Sequence, residues 1–485
     1  MRQLALALAA AGALAGARDA SANGRPPATS TLHWKQGSPN DVIAGMTFGV
    51  LISHDAGATW QWMCEAAVGY MGTYDPSYAY TSTGALFATT FNGLTVLRPP
   101  PTGDSCTFAA TPPGTTFVSQ VVVSPDGSLY YAASSNTDTG IYRSMDDGMT
   151  FPQSSMPGVD GDWWETLRIA PSDPTRIYLS GYRFVMACNA QSAMPYETCT
   201  QSSDCMDMSH PNGSCEGLKK WLLFESKDSG KTWSALPGQL LFAGNSTSVG
   251  LTTSVDSAID FVGIDATNPD ILYARSSLEN GTIGDGLYRI DTSVDTSWTH
   301  ILSEADALSF VARASGEVVA ATPTLGAWKS EDHGTTWTQL ANPPHANCLF
   351  ESPSGVVWAC SANYGNPPNL PTDGYGIMTS SDLSTWTGLL RFQDILGPVT
   401  CPAGTVEHDT CVADLVSGWC GVKLQLGITS TEVSCPDANS EGGADNTAPP
   451  KKTGCCDANG GPGVPALLAG LVGGMLLLRR RRPTL

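Results

Sequence analysis

An eight-residue string occurs four times in this chain: SHDAGATW (53–60), SMDDGMTF (144–151), SKDSGKTW (226–233) and SEDHGTTW (330–337). Copies spread this widely restrict the chain to a repeat architecture, in which each unit buries its apolar faces only by stacking on its neighbours. The aspartates Asp55, Asp146, Asp228 and Asp332 follow one another at intervals of roughly 80–105 residues. Each interval fits two units of about 40–50 residues, the size of a four-stranded propeller blade.

Degraded copies fill the gaps. Each octapeptide follows a short apolar run that opens on or near a glycine: GVLIS, GIYRS, KWLLFES and GAWKS. GLTVL (93–97), GLYRID (286–291) and YGIMTSS (375–381) have the same character. The last two lead into the worn strings DTSVDTSW (291–298) and SSDLSTW (380–386); the first leads into PPPTGDSCTF, which has lost the signature. A second marker lies upstream of every run: a turn followed by a β-rich segment, such as SPND before VIAGMTFG, SPDG before SLYYAASS and SPSG before VVWACSAN. Pro, Asp, Asn and Gly there are turn chemistry, and the flanking Val, Ile, Tyr and Thr form strands. Both markers count to seven. The expected fold is therefore all-β, a seven-bladed β-propeller over residues 31–391, with blades at 31–65, 76–111, 116–155, 163–237, 257–302, 306–341 and 346–391.

The octapeptide has a local explanation. The aspartates accept backbone N–H groups within a tight turn, and the hydroxyls of Ser53, Ser144, Ser226 and Ser330 bond across the hairpin. Gly57, Gly148, Gly230 and Gly334 supply a positive φ. Trp60, Trp233 and Trp337 start the outer strand and pack between blades. On these residues the chain resembles the Asp-box, or bacterial neuraminidase repeat, proteins from about residue 31 to 391. Those propellers include sialidases, xyloglucan-cleaving glucanases, photosystem assembly factors and sortilin-type receptors. The resemblance implies that the boxes are structural and lie on the rim, away from the working face.

Two enzyme families within that group are weakly matched. Sialidase-like proteins would show an arginine triad, a Tyr/Glu pair and a Phe/Tyr-Arg-Ile-Pro motif before the first box. This chain lacks the motif and has no arginine between Arg25 and Arg98. ILYARSSLENGTIGDGLYRID (271–291) looks like the segment around a catalytic aspartate of the xyloglucanases, yet Arg275-Ser276-Ser277 is followed by no acid there. No catalytic residue is assigned. The expected role is non-catalytic binding of a glycan or protein. The alternative is a secreted glycoside hydrolase, which needs two carboxyls across the scissile bond at the channel mouth.

A binding site is expected opposite the octapeptides, where the long connections cluster: 184–219, 234–256 and 363–376. The candidates are Asp162, Trp163, Trp164 and Glu165 in DGDWWETL, with Asp256 and Asp260 at the corresponding place in blade 5. One of the two tryptophans fits the inter-blade core equally well, and a solvated turn accounts equally well for the two aspartates.

The ends lie outside the ring. Residues 1–22 read as a secretory signal peptide, with Ala20-Ser21-Ala22 as a small-x-small cleavage site. The cysteines are therefore expected in an oxidising compartment, as disulfides. Cys188, Cys199, Cys205 and Cys215 fall in the 184–219 insertion and allow three pairings. Cys348 and Cys360 flank a turn as cross-strand partners. Cys401, Cys411, Cys420 and Cys435 are expected to staple a small segment at 392–436, which leaves Cys64 and Cys106 to pair with each other. A polar linker (437–453) leads to a tail (454–485) with Cys455 and Cys456, an apolar stretch and Arg479 to Arg482. This order resembles the MYXO-CTERM sorting domain. It implies a transmembrane helix, modification at Cys455 or Cys456, a sorting protease as partner and display at the cell surface. The net charge of −20 argues against nucleic acid, which needs clustered Lys and Arg. No cofactor or metal is expected: the seven histidines are scattered, without metal-ligand spacing.

Overall fold

The computed structural model describes residues 26–70, 74–112, 116–188, 199–236, 258–277, 286–303, 309–364, 372–414, 418–431, 433 and 435. The expected signal peptide, Asp256 and the tail with Cys455 and Cys456 lie outside them. No helix among the described residues is long and apolar enough to cross a membrane.

Seven antiparallel four-stranded meanders make up the ring. Their innermost strands are Thr29–Trp34, Tyr78–Tyr80, Phe117–Val123, Trp163–Ile169, Ala258–Ile264, Ser309–Ala312 and Cys348–Glu351. These strands line a central channel of about 1010 Å³. The fold is thus a seven-bladed β-propeller. Its second strands are the most buried: Val42–Met46, Leu86–Thr90, Leu129–Ser134 and Val318–Thr322 are buried at every position. Such strands are covered on both faces by neighbouring blades, so their sequences read as apolar runs rather than alternating ones.

The octapeptides form the turns between third and fourth strands, and all four make the same bonds. In the second, Ser144 Oγ donates to Asp146 Oδ1 (2.7 Å) and accepts from Gly148 N (2.8 Å), while Thr150 N and Oγ1 donate to Asp146 (3.0 and 2.6 Å). Asp147 and Gly148 both take positive φ, 58° and 72°. The glycine has a second role. A Cβ at Gly148 would meet the Phe87 ring of the preceding blade, Cε1 at 2.6 Å, and one at Gly57 would meet Trp358 Cη2 at 2.7 Å. The turn is therefore also a socket for an aromatic of the blade before it.

The worn copies keep part of this wiring. Asp382 accepts from Ser380 Oγ (3.1 Å) and Thr385 N (2.8 Å). Blade 2, whose signature is lost in the sequence, retains the core of it: Asp104 accepts from Cys106 N, Thr107 N and Thr107 Oγ1 at 2.8–2.9 Å.

These bonds hold the box carboxyls ionised. The Thr150 hydroxyl leads in drawing Asp146 down to about 2, and that of Thr232 does the same for Asp228. A carboxyl depressed on folding adds stability above its unfolded value of about 3.9 and loses it as pH falls through the folded one. Thermal stability should therefore drop steeply between about pH 4 and 2. An Asp146→Asn/Asp228→Asn double variant, less stable at pH 7, should show a shallower drop when Tm is followed against pH.

The ring closes without exchanging strands between its first and last blades. After Thr387–Leu390 the chain crosses to blade 1, and Gly397–Pro398 pairs in parallel with Gln61–Met63 as a fifth strand. Two disulfides then fasten the C-terminal segment to the ring, Cys64–Cys411 and Cys106–Cys401. The expectation that Cys64 pairs with Cys106 is thus wrong, and 392–436 is not a self-contained cap: only Cys420–Cys435 lies within it. Its cysteines reach into the ring because the segment is a clamp. Its helix Trp419–Leu426 (α2; α1 being Glu65–Val68) sets Trp419 against Trp62, with ring centroids 5.5 Å apart. Cys348–Cys360 bridges register partners as expected. The insertion adopts Cys188–Cys205 and Cys199–Cys215. The described residues hold six disulfides, as an extracellular protein's do.

Candidate functional site

The first turns of the inner strands, on the face opposite the octapeptides, bring aromatic rings together across three blades. Tyr74 enters blade 2, Phe91 sits in the turn between its second and third strands, Phe117 opens blade 3, and Trp163 opens blade 4. Their centroids form a chain: Tyr74–Phe91 4.6 Å, Phe91–Phe117 6.3 Å, Phe117–Trp163 5.6 Å. Phe91 is 56% exposed, which leaves an apolar surface open to a ligand. Tyr74 is anchored through its hydroxyl to Thr89 Oγ1 (2.6 Å). Trp163 was legible in the sequence; Tyr74, Phe91 and Phe117 were not singled out. Phe117 and Trp163 both stand first in an inner strand, a repeat-register signal that could have found the pair.

The other candidates separate. Trp164 is 1% exposed and packs in the core between blades 3 and 4, with its backbone N–H donating to Ser134 Oγ (2.9 Å). Asp162 is fully buried. It accepts a two-pronged ion pair from Arg183 (2.6 and 2.8 Å) and a bond from Val159 N (2.8 Å), so it ties the insertion hairpin to the start of blade 4. Neither presents a free group to a ligand.

Glu165 and Asp260 do approach one another electrostatically. Glu165 is the extra residue of a β-bulge, between the register pairs Trp164–Gly181 and Thr166–Ser180. A bulge re-aims the side chain it carries. Burial, then the Asp260 charge, push the Glu165 carboxyl up to about 7, and Lys219 opposes this. Asp260 is ion-paired with Arg275, its cross-strand partner. Lys219 lies over the Tyr182 ring, 4.4 Å from its centroid. The site thus combines an aromatic row with a mixed-charge cluster at the junction of blades 4 and 5.

Among the described residues, two places crowd three potential metal ligands, Cys188, Cys199 and Cys205, and Cys64, Glu407 and Cys411. All five sulfurs are committed to disulfides.

No protein-family model matches the chain, and no curated relative does. Among solved structures, it is similar to the GH74 xyloglucanase from Xanthomonas campestris, at 13% identity and a TM-score of 0.44, over 76% of this chain and 60% of that one. It is also similar to the extracellular domain of a protein described as a one component system from B. thetaiotaomicron (14%, TM-score 0.43, 74% of this chain and 39% of that one). A third is YCF48 bound to D1 peptide (14%, TM-score 0.39, 69% and 91%). The chain spans 60% or less of the length of the first two.

Proposed function

We propose that this protein is an exported binding propeller that engages a glycan or a protein through the face bearing Trp163. The observation that carries this reading is the row Tyr74, Phe91, Phe117 and Trp163. Rigid rings add contact area at low entropic cost, and such residues dominate binding energy when they meet a partner. The repeats support reading it as an Asp-box protein whose boxes are frame. Residues 1–22 direct export, and residues 454–485 act as a sorting tail, with Cys455 or Cys456 modified and the remainder removed by a protease, leaving the domain at the cell surface.

One observation favours the hydrolase alternative. Glu165, raised to about 7 by burial and then by the Asp260 charge, resembles with Asp260 an acid and base separated by their environments. Against it, Asp260 is held by Arg275.

A glycan array and a polysaccharide-hydrolysis screen on the same preparation distinguish the two. Trp163→Ala and Phe91→Ala should each weaken binding about tenfold or more, as loss of a hot-spot aromatic does. Glu165→Gln should leave binding in place. Product release by the wild type that Glu165→Gln abolishes would replace this reading with the hydrolase.

A further inference from the structure

Arg168, near the octapeptide end of the inner strand of blade 4, is a cation lining the central channel that has no carboxylate in ion-pair contact among the described residues. Its hydrogen bonds go to the Gln120 side-chain oxygen (3.0 Å) and the Leu167 carbonyl (3.3 Å), both neutral. The nearby carboxylate, Asp260, is paired with Arg275 instead. The channel acids Glu351 and Asp75 do not answer it either: Glu351 bonds to Arg313 (3.1 Å), and no ion pair joins Asp75 to Arg168 among the described residues. Of the other arginines among the ring's described residues, Arg98, Arg143, Arg176, Arg183, Arg275, Arg313 and Arg391 each contact at least one carboxylate. Arg289 also lacks one, but it does not line the channel.

Arg168 is half-buried in the channel wall, where a guanidinium with reduced hydration and no counter-charge in contact favours an anion that supplies one. Arginine's planar fork matches an oxyanion with two parallel hydrogen bonds. We propose that the central channel binds an oxyanion against the Arg168 guanidinium, with the Gln120 amide beside it. The channel, at about 1010 Å³, admits either a small free anion or the acidic group of a larger ligand. Burial lowers the Arg168 pKa, with the Asp260 charge opposing it and the Arg275 charge adding to it. The same burial, with the Arg168 charge second, takes His33 down to about 4 and keeps it neutral. His33 therefore adds no competing positive charge at neutral pH. This site is independent of the aromatic row: it lies toward the other mouth of the channel, and its test does not involve Trp163.

The test is thermal denaturation and calorimetric titration of the full-length protein with inorganic phosphate and, separately, galacturonate, against sodium chloride at matched ionic strength. At about 100-fold over its Kd, an oxyanion should raise Tm by about 2–5 °C. Phosphate active alone identifies a free anion, and galacturonate active identifies an acidic group on a larger ligand; either supports the site. Arg168→Met should abolish the anion effect and, by removing an uncompensated charge, should not lower Tm in anion-free buffer. Arg168→Lys, which keeps the charge but loses the fork, should weaken the effect, and it serves as the variant if Arg168→Met fails to fold. No anion-specific shift in the wild type, or an undiminished shift in the Arg168 variants, overturns the proposal.

Discussion

Replacing Cys64, Cys106, Cys401 and Cys411 together with serine should open the ring and cost more stability than any single substitution in the repeats. Cys64–Cys411 and Cys106–Cys401 span sequence separations of 347 and 295, and each limits the unfolded chain by closing a very long loop. The two are not additive. While one stands, the other closes only the loop of roughly 50 residues between them, so the first removal should cost about 4 kcal/mol on the chain-entropy model. The second removal then releases the long loop, for about 5–6 kcal/mol more. Cys199–Cys215, with a separation of 16, should cost about 3 kcal/mol and loosen only the insertion. Urea unfolding of the single, paired and quadruple variants reads this directly. A quadruple variant within about 1 kcal/mol of the wild type would show that the C-terminal segment does not hold the ring.

Gly148→Val should be the most damaging single substitution in the repeats, lowering stability by about 3 kcal/mol or more. Two costs combine at this position. A β-branched residue is forced to a φ of 72°, and its Cβ enters the ring of Phe87, which is itself fully buried and has nowhere to move. Gly355→Ala separates the two terms. Gly355 has a similar φ of 78° but nothing within 4 Å of a Cβ, so only the backbone term remains, about 1 kcal/mol. Equal losses at the two sites, measured by urea unfolding, would mean that the socket between blades contributes nothing.

The ring was legible because its signals are local and repeated. A turn needs Asp, Gly and a hydroxyl at fixed offsets, and seven recurrences correct the noise in any one. Blade 2 shows the limit: Asp104 and Thr107 keep the bonds of the box, but Ser and Gly at the usual offsets are gone, so the string no longer looks like one. Ring closure was not legible, because Cys64 and Cys106 are paired by where the chain returns rather than by spacing. The site was half legible for a similar reason. Trp163 and Trp164 are adjacent in the sequence and point to opposite environments, one to the open face and one to the core, as alternation along a strand requires. The partners of Trp163 come from blades 2 and 3, across sequence distances that no local pattern records.

If the octapeptides are frame and the opposite face binds, as proposed, ligand binding by folded Trp163→Ala and folded Asp228→Ala, measured side by side for the strongest ligand found on the array, will separate the two faces. Asp228→Ala should lower Tm while the folded protein keeps wild-type affinity, and Trp163→Ala should keep Tm while affinity falls at least tenfold. Lost binding in Asp228→Ala at unchanged Tm, with Trp163→Ala binding normally, would place the site on the octapeptide rim and contradict the proposal.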